Sequence, residues 1–311
     1  MSLAPSIAVP RASFNPLPLY VGLFCLLWSF AFVAGKIGVT DCPPLILLTA
    51  RFSLAGILIL AVSALRRDVW SLSWRDTFVF AILGIANNAL YLGLGYTGLQ
   101  TVSAGLGGLI VSATPVFTAG LAALLLGEAL DWRKVAGLLL GIAGVSLIVW
   151  HRMSVGTDSW HGIVFTLASL ASIVAGTILF KLFAPKGSLW IGNGVHNLAA
   201  GVVLLPFAFT LADVGDIVPS TRLLGAFAFL TLGGSILAYL LWFHLLKVCG
   251  ATAASAYHFL MPPLGMTFAW IILGEHVEVR DLMGIVPVAL GIYLVTRPAP
   301  QRRRHKAARS I

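Results

Sequence analysis

The stretch Thr114-Pro115 … Leu126-Gly127-Glu128-Ala129-Leu130-Asp131-Trp132-Arg133 … Gly137 … Gly144 recurs, altered, as Met261-Pro262 … Leu273-Gly274-Glu275-His276-Val277-Glu278-Val279-Arg280 … Gly284 … Gly291. The proline, the Gly-Glu pair, the second acid, the arginine and two glycines return at one offset of about 147 residues. A chain that repeats itself this way carries two copies of one structural unit.

Each copy is mostly apolar. Of the 311 residues, 59% are hydrophobic and only 10% are charged, against roughly 25% charged in a water-soluble domain. Apolar windows of about 20 residues suit one bilayer crossing each. They predict ten spans, at 17–37, 44–65, 76–97, 102–124, 133–150, 161–182, 188–211, 222–245, 251–273 and 280–296. The expected fold is an all-α membrane protein, ten transmembrane helices arranged as two inverted five-helix repeats around a central cavity. Five spans per copy is an odd number, so the copies must enter the membrane in opposite senses. Secondary transporters use that arrangement and bind substrate between the repeats.

The expected organisation has five parts. Residues 1–16, with Pro5, Pro10 and Pro16, form a disordered cytoplasmic N-terminus. Repeat 1 covers 17–150, an external linker 151–160, repeat 2 161–297, and a basic cytoplasmic tail 298–311. Leu17–Val33 is not read as a signal peptide, because no short-side-chain cleavage site follows it and nine further spans do. The net charge of +9 does not indicate nucleic acid, since the basic residues cluster at span ends. Of the 20 Lys and Arg, only Lys36, Arg152, Arg222 and Arg280 lie on the side away from the termini, and Arg51 lies within a span. The rest share the side of both termini, which the positive-inside rule makes cytoplasmic. The run Arg302-Arg303-Arg304-His305-Lys306 is read as an anchor near anionic lipid.

No enzyme motif is present, and no cofactor or metal site is expected. There is no HExxH, GxSxG or P-loop. Cys25, Cys42 and Cys249 show no metal spacing and read as buried or interfacial side chains. All eleven Asp and Glu fall in loops or near span ends, so no carboxylate relay lies at membrane depth. Passive facilitation, exchange or coupling through histidine stay open.

The remaining polar residues are few. His196, His244 and His258 each sit in a span, where a histidine bonds a neighbouring helix or faces water. Pro262 cannot donate to the carbonyl of His258, nor Pro263 to that of Phe259, nor Pro115 to that of Val111. These are packing kinks, or hinges beside a binding site. Asn87 and Tyr91 are spaced to share a helical face. Asn88 adds a second amide, and the three line a cavity or bond across helices. Tyr239 falls at the equivalent place in repeat 2. Arg51 either snorkels outward or lines an outward-facing vestibule, and Lys36 reads as interfacial. Trp28 reads as an aromatic wall or as a core or lipid-facing ring. Gly137-Leu138-Leu139-Leu140-Gly141, with Gly284 and Gly291, predicts close packing of spans 5 and 10.

Tyr96-x-x-Leu99-x-x-x-Ser103-Ala104 … Pro115 … Leu124-Leu125-Leu126-Gly127-Glu128, its counterpart Leu246-Lys247 … Gly250-Ala251 … Pro262 … Leu273-Gly274-Glu275 … Gly284, and Arg51-Phe52 resemble the EamA family of the drug/metabolite transporter superfamily. The likeness runs from about Tyr20 to Arg297. It implies ten spans in inverted repeats, with spans 1, 3, 4, 6, 8 and 9 around the cavity and 5 and 10 at the periphery. It also implies export of small metabolites, with YddG-type aromatic amino acid exporters as the first comparison. His244 and His258 go beyond the family pattern.

The expected function is therefore alternating-access export of neutral or aromatic amino acids across the plasma membrane. The expected partners are a small amino acid-like substrate and the lipid bilayer, with the monomer favoured. A zwitterion needs donors, acceptors and an apolar wall. Trp28, Asn88, Tyr91, Tyr239, His244, Tyr257 and His258 are the candidate substrate-binding set, Arg51 the vestibule residue, and Pro115 and Pro262 the hinges. The alternatives are a sugar-nucleotide, phosphorylated or drug-like substrate, and, remotely, a lipid enzyme.

Overall fold

The computed structural model describes residues 16–67, 70–111, 113–126, 132–155 and 158–275, with short helical pieces at 286–287, 289–291 and 293–294. The N-terminus, the basic tail, Glu128, Gly284 and most of the expected tenth span lie outside the described residues.

Among the described residues the chain is helical, with no strand. The long helices are α1 (Leu17–Asp41), α2 (Pro44–Leu65), α3 (Trp74–Gly84), α4 (Tyr91–Leu99), α5 (Ala104–Val111), α6 (Thr114–Leu126), α7 (Trp132–Val155), α8 (Trp160–Phe183) and α9 (Leu189–Leu211), followed by α10 (Thr221–Phe229), α11 (Tyr239–Ala256) and α12 (Met261–Phe268). A π-helical segment, Ile85–Leu90, joins α3 to α4, and another, Leu230–Ala238, joins α10 to α11. Seven helical runs are long and apolar enough to cross a membrane. A 22-residue helix such as α2 rises about 33 Å, close to the thickness of a hydrocarbon core. Trp70, Trp74 and Trp132 toward one end, and Trp150 and Trp160 toward the other, are exposed, as expected of interfacial aromatic belts. This is a multi-pass membrane protein.

Local signals set the helix starts. Ser73, Ser188 and Ser220 accept from the backbone N–H groups of Asp76, Ile191 and Leu223, satisfying donors that the first turn cannot. The two prolines of the repeated motif act as restarts. α5 ends at Val111 and α6 begins with Thr114-Pro115; a 3₁₀ turn spans Tyr257–Leu260 and α12 begins with Met261-Pro262. Proline costs nothing in a first turn, where its missing N–H has no helical partner. The sequence suggested kinks at Pro115 and Pro262, and the helices in fact break there and resume. The Val111 carbonyl freed by Pro115 accepts the Thr114 hydroxyl. Gly250, at φ +79°, turns the chain within α11 through a conformation that favours glycine.

Connections gather at two opposite ends. At one, Arg75 donates to the Phe183 carbonyl (2.9 Å), the Ser188 N–H to Ser71 (3.1 Å) and Lys247 to the Gly187 carbonyl (3.3 Å). At the other, Asp41 meets Ser220 and Arg222, Asp158 accepts from the Ser103 N–H, and Glu275 accepts from the N–H groups of Ala104 and Gly105.

Helix packing is close where glycines allow it. α2 runs along α9, and a Cβ on Gly56 would stand 2.8 Å from the Leu198 nitrogen. A Cβ on Gly291 would stand 2.5 Å from the Gly137 carbonyl and 3.0 Å from the Gly141 nitrogen. The Gly137–Gly141 pair therefore receives the last described helix, as small-residue spacing favours. Contacts also recur between corresponding segments. α1 packs on α10 and its π segment as α4 packs on α8, and α1 meets α12 as α8 meets α5 and α6.

A candidate substrate cavity and its polar scaffold

A cavity at the centre is lined by Trp28, Ala31 and Phe32 of α1, Arg51 of α2, Tyr91, Leu92 and Tyr96 of α4, and Gly234, Ala238 and Tyr239 at the second π segment. Its volume is about 30 Å³, room for a water or two and not for a metabolite. The cavity is narrow in the described conformation. The residues lining it belong to expected spans 1, 2, 3 and 8, where the family resemblance implies spans 1, 3, 4, 6, 8 and 9.

The walls are stiff for identifiable reasons. Trp28 stacks at a tilt on Phe24 and Tyr239, with ring centroids 5.2 Å away in each case. Trp242 lies parallel to Phe24 at 5.6 Å. Such pairs add about 0.5–1.5 kcal/mol beyond the area they bury.

Behind the wall lies a network built on the π segments Ile85–Leu90 and Leu230–Ala238. A π turn does not keep the regular i−4 bonding, so backbone carbonyls there need other donors. In the first segment, the Ala86 carbonyl accepts from Ser172 (2.9 Å) and the Asn87 carbonyl from the Tyr239 hydroxyl (2.8 Å). In the second, the Ser235 carbonyl accepts from Asn193 (3.1 Å) and Asn197 (3.2 Å), and the Ile236 carbonyl from Asn193 (3.0 Å). Asn88 joins the systems, with its Nδ2 3.1 Å from His196 Nδ1 and 3.2 Å from Asn197 Oδ1. The two segments fall at matching places in the repeat, and each supplies residues to, or directly adjoins, the cavity wall.

Arg51 does not reach outward to a vestibule. It is only 2% exposed, and it donates from Nε to Ser235 Oγ (2.8 Å) and from Nη1 to the Tyr96 hydroxyl (2.9 Å). Its guanidinium also lies 5.2 Å from the Phe52 ring centroid and 5.8 Å from that of Tyr96, within cation–π range. The physical reason is that a polar interior partner competes well with a long reach through apolar surface.

The structure brings Trp28, Tyr91, Tyr239 and Arg51 together and separates the rest of the candidate set. Asn88 turns away from the cavity into the scaffold. His258 is buried behind Trp28, at 5.5 Å between ring centroids, with Nδ1 3.2 Å from the Ser255 carbonyl. His244 packs edge-on against Tyr20. Tyr257 faces Cys249, and its carbonyl lies 3.4 Å from Cys25 Sγ. Sequence reasoning passed over Tyr96 as a lining residue and Asn193 and Asn197 as scaffold, while His196 takes the helix-to-helix bond that was one of its two expected roles. Asn193 and Asn197 carried a signal: with His196 they fall at spacings of three and four residues, on one side of one span. Asn87 and Tyr91 fail the same rule, because the π segment between them shifts the helical register.

A helical membrane protein with duplicated segments and a narrow polar–aromatic cavity fits the transporter class. The EamA-like transporter family matches the chain twice, over residues 18–150 and 160–297, and the chain is a member of that family. It lies within the drug/metabolite transporter superfamily. An uncharacterized transporter of Synechocystis is 28% identical over 292 residues, 87% of each chain. The uncharacterized inner membrane transporter YedA of Escherichia coli is 25% identical, covering 90% of this chain and 91% of its own. A chloroplastic WAT1-related protein of Arabidopsis thaliana is 27% identical, covering 87% of this chain and 67% of its own. These relatives are named as transporters or as WAT1-related, none as an enzyme. One solved crystal structure shares the fold at a TM-score of 0.66 and 19% identity, covering 91% of this chain and 97% of that one.

Proposed function

We propose that the chain is a secondary transporter that exports small metabolites, chiefly neutral or aromatic amino acids, as the YddG-type exporters do. The carrying observation is the aromatic cavity of Trp28, Tyr91, Tyr96 and Tyr239, flanked by π segments at matched positions of two duplicated halves. Ten spans form two inverted five-span repeats, residues 17–150 and 161–297, joined by an external linker. Both termini face the cytoplasm of a plasma-membrane monomer. The grouping of connections at two ends supports this alternation of spans, and the recurring helix contacts support the inverted pairing.

Alternating access follows from how the halves are tied. At the end assigned to the outside, the bonds of Asp41 to Ser220 and Arg222 and of Glu275 to Ala104 and Gly105 all run between halves. Releasing them opens the cavity outward, with the helix breaks at Pro115 and Pro262 absorbing the motion. A phosphorylated or sugar-nucleotide substrate fits less well, because Arg51 is the one cation among the described residues of the cavity wall.

The test is export of labelled phenylalanine, tryptophan and leucine from proteoliposomes or loaded cells. Wild type should export at least the aromatic pair. Trp28→Ala should change the order of preference among the three more than it changes folded yield. If wild type moves none of them, the amino acid assignment is wrong.

A further inference from the structure

We infer that Arg51 recognises the substrate's carboxylate, and that the site holds no counterpart for a substrate amine. This rests on the reading of the central cavity as the transport site.

Three observations carry it. First, Arg51 is a buried cation with no acidic partner among the described residues. Among the described residues its hydrogen bonds go to two neutral hydroxyls, and no carboxylate lines the cavity. The ion pairs found there lie elsewhere, at Arg75–Asp76 and Arg222–Asp41. A buried cation left without a counter-charge is costly to hold, and a transient anion removes that cost.

Second, the guanidinium is aimed. Nε and Nη1 are fixed by Ser235 and Tyr96, while Nη2 stands where a Cβ on Gly234 would approach to 2.7 Å. Only glycine leaves that room beside the cavity. Nη2 carries no protein hydrogen bond among the described residues, and a guanidinium edge is shaped to take a carboxylate.

Third, the groups around it are donors and rings. The Tyr96 hydroxyl accepts from Arg51 and so keeps its own proton to give. The phenols of Tyr91, Tyr96 and Tyr239 line the same cavity as Arg51. An ammonium group finds ring faces here and no anion. A single cation also suits one carboxylate better than a phosphate dianion. The ligand class is thus an aromatic or apolar monocarboxylate, amino acids among them, with the amine dispensable.

The experiment uses the purified full-length protein and three side chains: phenyl, indole and isobutyl. Each is presented as the amino acid, as the carboxylate lacking the amine, and as the amine lacking the carboxylate. Binding is measured by calorimetry and transport in proteoliposomes. Amino acids and simple carboxylates should bind, with the amines at least about tenfold weaker. Arg51→Gln should weaken the carboxylates by about ten- to a hundredfold, the range expected on losing a charge-assisted bond. Arg51→Lys, which keeps the charge, should retain the preference for carboxylate over amine and show that the effect is not misfolding. Amines binding as well as carboxylates, Arg51→Gln retaining wild-type affinity, Arg51→Lys losing the preference for carboxylate, or no carboxylate binding at all, each overturns the inference. If simple carboxylates bind through Arg51 while no amino acid is transported, the inference stands and the amino acid assignment falls. If amino acids are transported but Arg51→Gln binds them normally, the reverse holds.

Discussion

Gly84→Val should abolish nearly all folded protein. Gly84 closes α3 against the backbone of His196 on α9, and a Cβ there would overlap the His196 carbonyl, with the carbonyl carbon only 2.8 Å away. The obstacle is main chain, so no rotamer change relieves it. α3 and α9 must separate, and the bonds from Asn88 to His196 and Asn197 go with that contact. Overpacking alone costs about 1–3 kcal/mol, and each lost interhelical bond in a membrane adds about 0.6 kcal/mol on average. The measurement is the monodisperse yield and melting temperature in detergent, beside Gly22→Val. Gly22 has nothing within 4 Å of its Cβ position, so that control should behave as wild type. If Gly84→Val melts within about 2 °C of the control, the close approach of α3 and α9 is wrong.

Locking the end at Asp41 should stop transport. Asp41 is buried and draws in the Ser220 hydroxyl (2.6 Å) and both arms of Arg222 (2.8 and 2.6 Å), while its carbonyl accepts from the Val218 N–H (2.8 Å). Arg222 is itself largely exposed, so the pair alone is worth little. The latch works through several ties acting together, Glu275 and Asp158 included, and thermal motion can still release it. A covalent tie cannot be released. In a background carrying Cys25→Ser, Cys42→Ser and Cys249→Ser, the pair Asp41→Cys and Ser220→Cys should bring amino acid export to background on oxidation. A reductant should restore it to the level of the unoxidised variant. Full export by the oxidised protein would mean that this end need not open.

The fold was legible because the membrane admits few solutions. Apolar windows, the repeat and the Lys/Arg bias predicted helices that agree with α1, α2, α8 and α9 to within a few residues. The resemblance to EamA proteins, carried by the Gly-Glu motifs and Arg51-Phe52, agrees with the family match over both halves. The centre was harder to read. Trp28, Tyr91 and Tyr239 are large aromatic groups on spans that meet, and sequence alone marked them. Arg51 was misplaced because its partners, Ser235 and Tyr96, come from distant segments whose approach no local pattern announces. Asn88 was assigned to the cavity as a second amide beside Asn87, with a bond across helices as the alternative, and its Nδ2 in fact meets His196 and Asn197 of α9. His258 was expected at the site for its freed carbonyl, yet its ring packs among Phe24, Trp28 and Trp242.

The central claim is that one cavity opens alternately to each side of the membrane. Ala31 lines that cavity without belonging to its polar network. In the cysteine-replaced background, Ala31→Cys should react with a membrane-impermeant thiol reagent applied from either side. With the Asp41–Ser220 positions also bridged by a disulfide, labelling from outside should disappear while labelling from the cytoplasmic side persists. Labelling from one side only, unchanged by the bridge, would contradict alternating access through this cavity.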